Sequence, residues 1–273
     1  MTGPGTNTYL VGTGSVAVID PGPEDPTHRA ALVAAAADVG PIRWVLVTHT
    51  HIDHAPGAAA LARETGAQVI GFGPADGFTP DESVREGWTL RLPAGGAAGA
   101  DGDDGLTLEA VHTPGHASDH LCWLLREQAT LLTGDHVMHG STVVIRPPDG
   151  DLLQYMVSLA KVRDLQPPVR RLAPGHGRLM EPVTPVLDAL IAHRKGRHER
   201  VATALSARAE GSVDDLLPLV YDDVTEAQLP VARFSLWAHL RALAAEERAQ
   251  PVDAESGQDT IETRWKAAPT PSA

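Results

Sequence analysis

The segment Thr48-His49-Thr50-His51-Ile52-Asp53-His54 restricts this chain more than any other. Arg43 to Thr48, just before it, reads as a continuous apolar strand buried on both faces. Pro56 to Thr65, just after it, is Ala-rich and stopped by Gly66, which predicts a helix. The histidines therefore sit on a strand-to-helix turn. Residues two apart in extended chain project to the same side, so His49 and His51 face one spot. Asp53 and His54 lie where the chain turns into the helix. Imidazole and carboxylate are the usual zinc ligands where thiolates are lacking, and Cys122 is the single cysteine. Three histidines and an aspartate this close together at a strand end point to a metal site rather than a His-rich surface loop.

Three further positions share that context. His116 follows Thr113-Pro114-Gly115, just past a strand expected over Leu106 to Val111. Asp135 follows Thr133-Gly134 at the end of a strand over Thr130 to Thr133, and His176 sits in Pro174-Gly175-His176-Gly177 after a strand over Val169 to Ala173. Each is presented by a glycine-bearing turn at a strand edge, and ligands held at the ends of rigid elements are how metal sites are built. The seven divide into a tri-histidine site of His49, His51 and His116 and a second site of Asp53, His54 and His176, with Asp135 bridging. Two ions about 3.5–4 Å apart would clamp an attacking and a leaving oxygen.

The remaining chain supplies the frame. Thr8 to Val11 and Ser15 to Ile19 read as a hairpin, and Thr27 to Val39 as a helix. Further strands are expected at Gln68 to Gly71 and Leu121 to Leu125, and a helix at Leu152 to Leu165. Ala94 to Gly105 is Gly, Ala and Asp and reads as a flexible surface loop. Strands alternating with helices, with hairpins besides, predict an α/β fold (α+β) with mixed sheets and outer helices. After His193 the pattern changes to helices near Glu199 to Ala209, Val213 to Tyr221 and Glu226 to Glu247, with a short strand at Asp259 to Trp265. A length of 273 residues accommodates one large domain, residues 1–192, a small helix-helix-helix-wing appendage, residues 193–266, and a disordered tail, residues 267–273.

These motifs resemble the metallo-β-lactamase superfamily. Gly5-Thr6-Asn7-Thr8 and Ile19-Asp20-Pro21-Gly22 are similar to its opening hairpin, and the ligand positions match its set. Gly150-Asp151-Leu152 through Tyr155, Ser158 and Leu159, with the helical tail after His193-Arg194, resembles the lactamase-β-like endoribonuclease subgroup and its winged-helix-like C-terminal part. The resemblance implies an αββα sandwich with a dinuclear site at one sheet edge. Two departures stand out. The family's strand before Gly5 is lacking, so either that edge strand is lost or the native start lies upstream of Met1; the loop over Ala94 to Gly105 is also longer than usual.

The implied chemistry is zinc-dependent hydrolysis by a metal-bridging hydroxide, with two zinc ions per chain and iron or manganese as substitutes. Asp53 is the catalytic candidate, binding the second metal and orienting the nucleophile. Two dications against two carboxylates and one hydroxide leave the site positive, so the partner is a small anionic substrate or single-stranded RNA. RNA phosphodiester cleavage is the first expectation; a glyoxalase II-like thioesterase and a mononuclear iron persulfide dioxygenase are the alternatives. Charge bears on the choice: the whole chain carries −13, and the residues beyond 192 carry ten basic and 13 acidic groups, a net −3 that opposes tight nucleic-acid binding. With no signal peptide, no membrane-length apolar run and one cysteine, the expected location is the cytoplasm, without a membrane partner. His120 either orients a ligand from behind or is an ordinary strand histidine; His139, Ser141 and Thr142 are candidates for lining the pocket. Tyr155 and Ser158 read as helix packing, and Arg194, Lys195 and Arg197 as a solvated basic helix face.

Overall fold

Side-chain alternation along two stacked sheets builds two cores at once. The computed structural model describes residues 5–75, 77–94, 105–252 and 259–268. The first sheet begins with the antiparallel hairpin β1 (Tyr9–Val11) and β2 (Val16–Ile19), with Tyr9 opposite Ile19. It continues with β3 (Ile42–Leu46), β4 (Gln68–Gly71) and β5 (Glu82–Ser83), each parallel to its predecessor in the order β1-β2-β3-β4-β5. Helix α1 (Pro26–Ala37) carries the chain from β2 to β3, and α2 (Gly57–Thr65) from β3 to β4. Helix α1 starts where the Asp25 side chain accepts hydrogen bonds from the Thr27 and His28 amides.

The second sheet has the order β10-β9-β8-β7-β6. Strands β6 (Thr89–Leu92), β7 (Leu106–His112), β8 (Leu121–Leu125) and β9 (Thr130–Gly134) form an antiparallel meander, and β10 (Arg171–Pro174) joins β9 in parallel. Val16, Val18, Val45 and Val69 face Leu32 and Leu61 of the helices, whereas Ala17, Ile19, Leu46 and Ile70 face Leu108, Leu121, Trp123 and Leu132 of the second sheet. The period of two in an extended chain makes both cores from the same strands.

The chain forms two compact units that interleave along the sequence. One holds Met1–Pro114, Asp119–Val143 and Lys161–Val186; the other holds Gly115–Ser118, Val144–Ala160 and Leu187–Ala273. The second unit is built from the greater part of α3 (Leu152–Arg163) and of α4 (Val183–Arg208), together with α5 (Val213–Val220), α6 (Leu229–Ala245) and a small sheet of β11 (Glu210–Gly211), β12 (Ala249–Pro251) and β13 (Trp265–Ala267). Leu205, Leu216, Leu236, Leu240 and Trp265 form its core. A reciprocal Ser212–Asp215 capping box starts α5.

Several local expectations change. The helix expected near Glu199 begins at Val183 and is continuous to Arg208. Arg194 and Arg197 are buried on it rather than on a solvated face. Arg194 lies over the Tyr155 ring, and Arg197 pairs with Asp223. Arg43 is exposed, so β3 is buried on both faces only toward its C-terminal end. The late strand is Trp265–Ala267 rather than Asp259 to Trp265, because its partners are Ala249–Pro251 and Glu210–Gly211. Ala267, expected in the tail, therefore ends a strand. The loop expected over Ala94 to Gly105 and the rest of the tail fall largely outside the described residues. Among the described residues, no helix is long and apolar enough to cross a membrane.

Trp123 is fully buried between the sheets. Trp123→Ala is expected to lower unfolding free energy by about 3–5 kcal/mol, read as a reduced urea midpoint at unchanged slope. An unchanged midpoint would contradict the inter-sheet core.

Candidate metal centre

In the first unit, three strand ends deliver the predicted ligands to one place. Strand β3 runs through Val47 and Thr48 into His49, β9 ends immediately before Asp135, and β10 ends two residues before His176. Each lies parallel to a neighbouring strand, so the ligands leave at carboxyl ends. His49, His54 and Asp135 offer ligand atoms within 4.8 Å of one another, and so do Asp53, His54 and His176. His176 Nε2 lies 3.2 Å from both Asp53 Oδ2 and Asp135 Oδ1. His54 Nε2 lies 3.4 Å from Asp135 Oδ1 and 3.6 Å from Asp53 Oδ2, and it is buried with no hydrogen-bond partner among the described residues. His51, which is exposed, has Nδ1 2.9 Å from His49 Nε2. His116 belongs to the second unit, where its Nδ1 lies 2.6 Å from the Val144 carbonyl.

This arrangement fits a divalent cation. The donors are imidazole nitrogens and carboxylate oxygens, the borderline set that zinc and its neighbours prefer. The space between them is kept clear by Gly175: a Cβ there would lie 2.8 Å from His54 Cε1 and 2.9 Å from Asp135 Oδ1. Charge points the same way. Burial lowers the basicity of His54, but the Asp20 and Asp135 carboxylates outweigh it and hold the ring well above the ordinary histidine range. Burial likewise opposes a charge on His176, and Asp135 and Asp53 override it. Asp53 is brought to about 2, because its His176 hydrogen bond and the His54 charge exceed the effect of burial. Three carboxylates around two imidazoles thus demand positive charge, whether as protons or as metal.

Groups behind the ligands fix their orientation. Asp20 Oδ2 accepts from His54 Nδ1 at 2.8 Å and from the Thr48 hydroxyl at 2.7 Å, while Oδ1 accepts from the Thr48 amide at 2.7 Å. Asp20 adopts φ 52°, in the left-handed region, which an aspartate tolerates better than most side chains. His176 Nδ1 lies 3.0 Å from the Gly5 carbonyl, and the Asn7 amide donates to the Pro174 and Gly177 carbonyls at 2.9 Å each. The Thr6 hydroxyl donates to Asp53 Oδ2 at 3.3 Å. Thr50 donates through its amide and hydroxyl to Asp119 Oδ2, bracing the turn between His49 and His51.

Among the pocket candidates, His120 is fully buried and stacks on His49 with centroids 4.9 Å apart. His139 is exposed; its amide donates to the His176 carbonyl at 3.2 Å. Ser141 is exposed and Thr142 half-buried, and neither has a described contact that ties it to the ligands. Sequence reasoning missed Asp20 and Asn7 as neighbours of this centre, and also the buried His136, whose ring lies 6.2 Å from that of His120. Asp20 was readable as a polar residue ending a buried strand; Asn7 depends on a partner more than 160 residues away.

Comparison with known proteins agrees with this geometry. Residues 1–176 match the model of the metallo-beta-lactamase superfamily. The chain belongs to the metallo-β-lactamase superfamily. Residues 212–265 match the beta-lactamase associated winged helix domain, in keeping with the helices and small sheet of the second unit. The chain is 32% identical over 255 residues to a beta-lactamase-like protein 2 homolog of Drosophila melanogaster, covering 90% of this chain and 84% of that protein. It is 34% identical over 207 residues to an atrochrysone carboxyl ACP thioesterase of Aspergillus fumigatus, covering 74% of this chain and 60% of that one. A metallo-beta-lactamase family protein from Thermus thermophilus shares the fold, with TM-score 0.73 and 21% identity over 96% of this chain and 93% of its own. This protein is thus a hydrolase of a superfamily that binds divalent metals.

Two substitutions test the centre. Asp20→Asn removes one of the acceptors behind Thr48 and His54, and is expected to weaken Zn²⁺ affinity by about 10–100-fold, measured by chelator competition. Gly175→Ala places a methyl group among the donors and is expected to abolish Zn²⁺ binding at His54 and Asp135, read as lost metal equivalents. Wild-type stoichiometry in Gly175→Ala would contradict the site.

Proposed function

We propose that this protein hydrolyses acyl thioesters at a two-cation centre, releasing a carboxylic acid and a thiol. Asp53, His54 and His176 would hold one cation, His49 and His51 the other with His116 as the third ligand expected from the sequence, and Asp135 would offer its carboxylate to the pair. When bound, the pair supplies Lewis acidity and a water acidic enough to attack near neutral pH. Asp53, partly open to solvent beside His176, positions that water. A C–O bond forms at the acyl carbon, the C–S bond breaks, and the proton passes to the leaving thiolate. Ile52 is 80% exposed between two ligand positions and offers an apolar surface to the acyl group.

One observation favours an acyl substrate over RNA. Arginines in the second unit are engaged with carboxylates: Arg197 with Asp223, Arg200 with Asp222, Arg233 with Asp214, Arg241 with Asp259, Arg248 with Glu199 and Arg264 with Glu210. Phosphate binding draws on cations that are free to replace counterions, and each of these six arginines already has a carboxylate beside it. The thioesterase named among the relatives supports the same choice. A second reading, RNA cleavage, is favoured by the winged-helix match alone. The single cysteine leaves no intrachain disulfide to form, which supports a reducing, cytoplasmic setting.

The test is a parallel assay of the zinc-loaded protein on a glutathione thioester and on short single-stranded RNA, with metal analysis and oxygen uptake of the protein as purified on a glutathione persulfide as a third arm. Thioester turnover is expected, with a fall of about 10²–10⁴-fold in Asp53→Ala. Ile52→Asp is expected to raise KM for an apolar acyl group more than it lowers kcat. RNA cleavage without thioester turnover would establish the second reading, and oxygen uptake with one iron per chain would overturn both.

A further inference from the structure

The ring of His120 connects to more than its stacking partner. The Asp135 amide donates to His120 Nε2 at 3.2 Å. An amide can only donate, so Nε2 bears no hydrogen and the ring is neutral with its proton on Nδ1. Nδ1 then donates to the Thr113 hydroxyl oxygen, 2.9 Å away. The Thr113 hydroxyl proton is thereby directed to Cys122 Sγ at 3.2 Å, and the Cys122 thiol donates to the Thr133 carbonyl at 3.7 Å. Burial pushes the Cys122 thiol up to about 12, so it keeps the hydrogen this last link requires. Both ends of the chain are fixed by backbone groups that cannot reverse, and both lie on the strand β9 exit, on either side of Gly134. A Cβ at Gly134 would lie 2.9 Å from His120 Nε2, so glycine lets the ring approach.

We propose that His120 is a positioning residue that sets the bridging Asp135 and the ligand His49 through a one-way hydrogen-bond chain, Asp135 amide to His120 to Thr113 to Cys122 to the Thr133 carbonyl. Asp135 is held by its amide and His49 by ring stacking, so one buried imidazole places a ligand from each of two strand ends. Thr113, His120, Cys122 and Thr133 are fully buried, which makes each link costly to lose. The inference rests on the metal centre and holds whichever substrate that centre acts on.

The tautomer is read directly from ring ¹⁵N–¹H correlation spectra of the metal-free, histidine-labelled protein. His120 is expected as the neutral Nδ1–H form; the Nε2–H form or an imidazolium would overturn the proposal. Thr113→Val keeps the shape and breaks the middle link. It is expected to leave the protein folded, to mix the His120 tautomers and to weaken Zn²⁺ affinity by about 10–100-fold in chelator competition. His120→Gln can still accept from the Asp135 amide and is expected to keep much of the affinity that His120→Ala loses. Wild-type Zn²⁺ affinity in Thr113→Val, or equal losses in His120→Gln and His120→Ala, would show that His120 only fills space.

Discussion

The Asp20 carboxylate is the contact on which the geometry of the candidate metal centre depends. It sits at the end of β2 and accepts from the Thr48 amide, the Thr48 hydroxyl and His54 Nδ1. Those three bonds tie the exits of two parallel strands together and set the direction of a ligand ring. They are buried, so water cannot substitute for any of them, and an unmatched partner would bear the full cost of desolvation. The left-handed backbone at Asp20 is the local strain that this anchoring overcomes.

Rigidity behind that anchor comes from the two cores. Strands β2, β3 and β4 are buried on both faces over much of their length, against helices on one side and the second sheet on the other. A close-packed interior resists small displacements, so the loops that leave these strands start from fixed positions. Short glycine-bearing turns then carry Asp135 and His176 the last few ångströms. The same economy appears at the amino-terminal end of the first unit, where Asn7 and the Gly5 carbonyl reach across to β10 and the His176 ring.

Much of this was legible in the sequence because its signals are local. The His49 to His54 cluster, the β2 hairpin and the Ala-rich helices follow from spacing, period and glycine placement. What was not legible depends on distant partners. Strands β5, β11 and β12 are two or three residues long and exist only through their neighbours. Helix α4 is expected from the sequence only near Glu199, because His193 to Arg200 is densely polar, yet it starts at Val183, and Arg194 and Arg197 turn inward to Tyr155 and Asp223. Asp20 reads as part of a turn; its role needs Thr48 and His54 beside it. His120 likewise carries two readings in the sequence, because the Asp135 amide that donates to its ring lies 15 residues away.

The central claim is that the strand ends of this chain form a two-cation centre. The most direct measurement is anomalous diffraction from crystals of the zinc-loaded protein, which locates each ion independently of activity. The account predicts two ions about 3.5–4 Å apart, one ligated by Asp53, His54 and His176 at about 2.0–2.2 Å, with an Asp135 oxygen between them. A single ion, or ions bound away from His54 and Asp135, would contradict it.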